Sequence, residues 1–218
     1  MTDFEAARTA MVDSQVRPSD VTLYPIIAAM LEVPRELFVP AALRPVAYAG
    51  TELPLAPGRV LLDPRTMAKM LDALNPGPEE LVLDIAPGLG YSSALLARLA
   101  AAVVAVEEDA ALARDAASAL AAAGVADTVI MRNAPHAGGS PEHAPFDALF
   151  INGGIEQLPA ALIDQIKPGG RCVAIFMSGS MGRCRLGIRT AAGMAWRTVF
   201  DATAPVLSGF ETEEKFVF

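Results

Sequence analysis

Gly88 and Gly90 lie in "LVLDIAPGLGYSSALLARL", residues 81–99, between an apolar run and an apolar helix-forming stretch. Lacking a Cβ, glycine lets the backbone turn tightly and lets a ligand come up against it. The first N–H groups of the following helix favour an anionic group. Glu107 closes the next apolar run, "AVVAVEED", about twenty residues on, the separation at which an acid meets ribose hydroxyls. Asp109 suits the cap of the following helix better than Glu107 does. Turn and acid together point to a nucleoside-bearing ligand. Ser93 supplies a third small residue, so a nicotinamide cofactor stays open, while the lack of Gly-Lys-[Ser/Thr] removes a nucleoside triphosphate.

The elements that must position these residues are legible. From residue 81, short apolar segments alternate with alanine-rich ones: "LVLDIA", "SSALLARLA", "AVVAVE", "AALARDAASALAAAG", "TVIMR", "DALFIN", "LPAALIDQI", "RCVAIF". That alternation predicts βαβ units and a parallel sheet buried on both faces. "CRLGIRT" and "AWRTVFDATAPVL" have no helical stretch between them and predict an antiparallel hairpin closing the sheet. Before residue 81 the chain reads as helical. Phe4, Ala7, Met11 and Val12 share one face of a first helix stopped by Pro18, and Asp20 is placed to cap a second over "VTLYPIIAAMLE". "VPRELFVP" predicts a short turn with Phe38 and Val39 buried and Arg35 and Glu36 solvated or paired. "ELPLAPGRVLLDP" predicts an irregular loop or small hairpin. Asp63 and Pro64 are an N-cap and first-turn pair for "RTMAKMLDAL".

Bulk properties narrow the partners. Of the 218 residues 53% are hydrophobic and 19% charged, a balance that suits a packed core and argues against disorder. A formal net charge of −8 disfavours a polyphosphate substrate, so no nucleic-acid partner is expected. Charges or prolines interrupt every apolar run, and acids and an arginine break the start of the chain. A cytoplasmic protein with no membrane partner is the expectation. Cys172 and Cys184 have no ligand spacing and read as buried thiols, and no metal site is expected. His136 and His143 read as solvated loop residues.

With Asp84 before the glycines and Tyr91 after them, "DIAPGLGY" resembles the S-adenosylmethionine loop of class I methyltransferases, with Ala86 at the first of that family's three glycines. "AAMLEVPRELFVP…AYAGTELPL" narrows the match. Residues 28–40, Ala47, Tyr48, Leu53 and Pro54 resemble the lead-in of protein-L-isoaspartate O-methyltransferases, and "PEHAPFDALFINGG" and "LPAALIDQIKPGGRCV" continue it. The resemblance implies an α/β, Rossmann-like class I methyltransferase fold: a mostly parallel doubly wound sheet, an antiparallel C-terminal hairpin and a helical N-terminal extension. Residues 1–75 would cover substrate and cofactor, and 76–218 would form the S-adenosylmethionine-binding core, in one compact unit. The implied cofactor contacts are Asp84, Ala86, Gly88, Gly90, Tyr91, Glu107 and Asn133, the last accepting from the adenine amino group.

The implied reaction is methylation of the L-isoaspartyl carboxylate in damaged proteins, a repair activity; the partner is an isoaspartyl peptide or protein, or another small acid. Such a carboxylate is ionised at pH 7 and needs no general base. Orientation and exclusion of water suffice. One departure bears on the acceptor. The family's Thr-Ile-Ser-x-Pro-His segment reads "VLLDPR" here: Leu62 replaces the serine, Arg65 the histidine, and Pro64 is kept. Leucine cannot donate to a carboxylate. Arg65, backbone N–H groups near Pro64 and the Gly153–Gly154 loop are the replacements on offer. A same-fold methyltransferase with a different acceptor, or a non-catalytic S-adenosylmethionine-binding protein, are the alternatives.

Overall fold

The computed structural model describes residues 3–212. Helix α1 (Phe4–Met11) starts at Asp3, whose carboxylate accepts from the Ala6 N–H. It widens over Val12–Val16 and tightens over Arg17–Ser19, where Pro18 ends the run. Met11, Val12 and Val16 are buried, continuing the expected stripe. Helix α2 (Tyr24–Glu32) does not begin at Asp20. Its boundary residue is Leu23, because Pro25 presets the first turn. Asp20 instead closes the preceding turn in the left-handed region, at φ 64°.

A small antiparallel hairpin follows, β1 (Leu53–Ala56) and β2 (Arg59–Leu61), turning at Pro57 and Gly58. Asp63 caps helix α3 (Pro64–Leu74) by accepting from the Thr66 N–H, with Pro64 in the first turn as expected.

The α/β half alternates as its pattern predicts: β3 (Leu81–Ile85), α4 (Tyr91–Leu96), β4 (Ala102–Glu107), α5 (Ala110–Ala122), β5 (Val129–Asn133), β6 (Phe146–Ile155) and α6 (Ala160–Asp164). Asp109 caps α5, accepting from the Ala111 and Leu112 N–H groups. The sheet ends in a meander, β7 (Ile166–Ser178), β8 (Met181–Thr190) and β9 (Gly193–Asp201). Strand order is β5-β4-β3-β6-β7-β8-β9, parallel from β5 to β7 and antiparallel beyond.

Successive residues of the central strands enter opposite cores, as a doubly wound sheet requires. Val82, Val103 and Phe150 join the N-terminal helices, α3 and α4. Leu83, Val104, Leu149 and Cys172 join Leu162 of α6 and Phe210 on the other face. Both cysteines are buried and free. Among the described residues no helix is long and apolar enough to cross a membrane. The strand order reverses between β3 and β6, so a crevice opens outside the carboxyl ends of these strands, where the turn after β3 begins.

The turn entering that crevice runs through three left-handed positions, Ala86 at φ 60°, Gly88 at 62° and Gly90 at 95°. Two are glycines. Ala86 is held there by its N–H, which donates to the Val106 carbonyl. An L-residue in this region costs about 1–2 kcal/mol. Ala86→Gly is therefore expected to stabilise the fold by about 1 kcal/mol, a rise in Tm of roughly 2–4 °C in thermal denaturation. A lower Tm would mean that the buried methyl packs better than the strain costs.

Candidate functional site

Asp84, next to last in β3, is fully buried. One carboxylate oxygen accepts from the Ser92 and Ser93 hydroxyls at 2.7 Å, and the other from the Asn152 amide of β6 at 2.6 Å. A single side chain thus ties β3 to the first turn of α4 and to β6, on either side of the glycine turn. Burial pushes the Asp84 carboxyl up to about 7, against hydrogen bonds from Ser93, Ser92 and Asn152 that hold it down.

Glu107, at the end of β4, is also fully buried, and its partners are of a different kind. Arg59 of the hairpin grips it with both terminal nitrogens at 2.7 Å, one on each oxygen. The Gly88 N–H donates to Oε2 at 2.9 Å and the Asp109 N–H to Oε1 at 3.2 Å. His136 Nε2 lies 3.2 Å from Oε1 and 3.1 Å from the Glu108 backbone nitrogen. Burial raises the Glu107 carboxyl, but the bonds from His136 and Arg59 outweigh it and bring it to about 2.

Two residues here escaped the sequence reading. Arg59 gave no signal beyond standing in a glycine-punctuated turn. His136 was expected to be solvated and is instead buried, because its loop folds under the end of β4 and seats the ring against Glu107 and Glu108. His143 is half-buried, with its ring nitrogen 2.8 Å from the Ser140 hydroxyl. Asn133 is exposed and donates its amide nitrogen to the Glu107 and Glu108 carbonyls, which leaves the amide oxygen as the accepting atom.

A glycine turn, an acid at the strand end and a nearby amide oxygen are a donor set suited to a nucleoside. The space is another matter. A Cβ built on Gly88 would lie 2.4 Å from a Leu55 methyl, so the hairpin rests directly on the glycine that should receive a ligand. Arg59 also donates to the Ala86 carbonyl at 2.9 Å. The donor set suits a nucleoside in kind, and the hairpin lies directly on the turn that carries it.

The acceptor positions are divided. Leu62 and Pro64 are buried, Leu62 within the main core, whereas Arg65 is exposed. Arg65 borders a polar cavity of about 400 Å³ with Ser14, Gln15, Ser19 and Thr66. Gly153 and Gly154, expected in a loop, lie within β6; the Gly154 N–H already donates to the Pro205 carbonyl and Leu207 packs on Gly153, so they offer little to an acceptor. Arg35 is neither solvated nor paired with an acid. It is fully buried, donates to the Ala47 and Leu62 carbonyls, and lies 4.8 Å from the centre of the Tyr91 ring. Carbonyls on Nε and one terminal nitrogen, and a π face, surround the guanidinium where solvent or a carboxylate was expected. The other terminal nitrogen is buried without a hydrogen-bond partner among the described residues, and burial lowers the Arg35 pKa. Tyr91 itself is a core side chain between Arg35 and Phe38.

Comparison with known proteins decides the lineage. The family described as protein-L-isoaspartate(D-aspartate) O-methyltransferase matches residues 7–180. The chain belongs to that family. Among its curated relatives, the protein-L-isoaspartate O-methyltransferase of Methylorubrum extorquens (strain PA1) is 40% identical over 171 residues, 78% of this chain and 74% of that one. The protein-L-isoaspartate O-methyltransferase 1 of Rhodopseudomonas palustris (strain HaA2) is 40% identical over 172 residues, 79% of this chain and 70% of that one. Two solved structures carry the same fold. A protein-L-isoaspartate O-methyltransferase, 21% identical, superposes with a TM-score of 0.79 over 94% of this chain, which spans 66% of that longer one. A beta-aspartate methyltransferase from Plasmodium falciparum, solved with S-adenosyl-L-homocysteine, is 15% identical with a TM-score of 0.78 over 95% of this chain and 99% of that one. The Rossmann-like class I methyltransferase fold, with its mixed sheet and helical N-terminal extension, follows.

The two buried carboxylates oppose each other in pH dependence. Asp84 binds its proton more tightly when folded, so its contribution to stability declines as pH rises from 3.8 to about 7. Glu107 does the reverse, and its contribution is lost as pH falls from 4.5 to about 2. Asp84→Asn should therefore gain stability relative to the wild type as pH is raised from about 5 to about 7.5. Denaturant titrations at both pH values check this. An unchanged difference would place Asp84 ionised throughout.

Proposed function

We propose that the chain is an S-adenosylmethionine-dependent O-methyltransferase that modifies the carboxylate of an L-isoaspartyl residue, or a small acid of similar shape, as a protein-repair enzyme. The observation that carries this reading is the glycine turn between Asp84 and α4, with Gly88 donating to the buried Glu107, in a chain of this family. The fold neighbour solved with S-adenosyl-L-homocysteine supports the choice of cofactor. When bound, the cofactor supplies an electrophilic methyl group. On this chain, the turn Ala86–Gly90 would take its amino-acid end, Glu107 the ribose and the Asn133 oxygen the adenine.

The acceptor needs orientation more than acid–base help, because its carboxylate is already ionised. Arg65 is the exposed cation among the acceptor positions, and the hairpin above the turn is the element able to keep water from the reacting atoms. The core position of Leu62 removes the family's hydroxyl donor and leaves Arg65 to hold the carboxylate.

The expected outcome is slow but measurable methyl transfer to an isoaspartyl peptide and none to its aspartyl twin, followed with labelled S-adenosylmethionine. A hydrogen bond to a charged group is worth about 1.5–3 kcal/mol, so Arg65→Ala should lower kcat/KM by roughly ten- to a hundredfold. If neither peptide is methylated while S-adenosyl-L-homocysteine still binds, the acceptor is a different acid or the chain only binds.

A further inference from the structure

The carboxylate meant for a ribose is already saturated. Glu107 has about four lone-pair sites on its two oxygens. Both terminal nitrogens of Arg59, the Gly88 and Asp109 N–H groups and the His136 ring nitrogen are already within hydrogen-bond distance of them. No capacity is left for two ribose hydroxyls. Among these partners only Arg59 comes from outside the α/β half, and it is the strongest competitor, since two parallel charge-assisted bonds join planar groups.

The element that carries Arg59 is a two-stranded hairpin separate from the main sheet. A two-stranded hairpin has little stability of its own. Its root is anchored by buried Leu53 and Leu61. Toward the turn, Leu55 on Gly88 and Arg59 on Glu107 and Ala86 hold it down. The tip is free: Pro57 and Gly58 are exposed, and nothing lies within 4 Å of a Cβ built on Gly58. Beside it is a cavity of about 320 Å³ between Gly58, Arg59, Glu108, Asp109, Val206 and Ser208. Room for displacement therefore adjoins the pair that must break.

We propose that the hairpin β1–β2 is a lid over the donor cleft and Arg59 its latch, the guanidinium occupying the place of the ligand's hydroxyl groups until the ligand displaces it. This rests on the donor-cleft reading made under Proposed function. It adds that the resting chain excludes its own cofactor.

The test uses the full chain with S-adenosyl-L-homocysteine as probe, by calorimetry, alongside amide hydrogen exchange over residues 53–61 and at Gly88. Arg59→Gln removes the latch charge. Leu55→Ala loosens the tip without leaving Glu107 unpaired, and covers the case in which the Arg59 variant folds poorly. Each variant is expected to bind the probe at least about tenfold more tightly than the wild type, about 1.4 kcal/mol, with faster exchange in the hairpin and at Gly88. Tight binding by the wild type that weakens or stays level in both variants overturns the latch and leaves the donor cleft standing. Faster exchange with no binding by any of the three proteins overturns the donor reading and the latch's ligand with it.

Discussion

A carboxylate stays charged inside a protein only if donors and cations close around it, and Glu107 is where this chain meets that demand. The hairpin comes down because Arg59 must reach the acid. The glycine turn curls back so that Gly88 can donate to it, the start of α5 is drawn in through Asp109, and the loop after β5 folds under so that His136 abuts it. Asp84 meets the same demand with neutral hydroxyls and an amide. The two acids diverge accordingly, one held down by an arginine and a histidine, the other pushed up by burial that neutral donors only partly offset.

What the sequence made legible was local. The alternation after residue 81, the Asp63–Pro64 and Asp109 helix starts, the glycine turn and the distance from it to Glu107 all depend on neighbours along the chain, and each is found where its pattern put it. What it hid was tertiary. Arg59 lies 48 residues from Glu107, and no periodicity links them. His136 and Arg35 were read as exposed or ion-paired because such side chains usually are. One is instead enclosed by its own loop and the other by backbone carbonyls and the Tyr91 ring. Asp20 misled for a local reason: two signals for one helix start competed, and the proline won.

One short segment carries both Arg59 and Leu62. The segment in which the family's serine has become Leu62 is continuous with β2, whose first residue is Arg59. Leu62 lies in the core and Arg59 on Glu107, so on the proposed reading the same few residues would both lack a hydroxyl for the acceptor and fill the donor side.

The meander gives the chain an uneven folding problem. Strands β7, β8 and β9 are joined by two-residue turns, so their pairing closes short loops at small entropic cost. The groups that meet at Glu107 come from points 19, 29 and 48 residues away and need the parallel crossovers in place first. Chain entropy thus favours an early antiparallel sheet at the carboxyl-terminal end and a late assembly of the cleft. A ribosome releases those segments in the opposite order, so the cleft residues leave the tunnel well before the strands that form most readily.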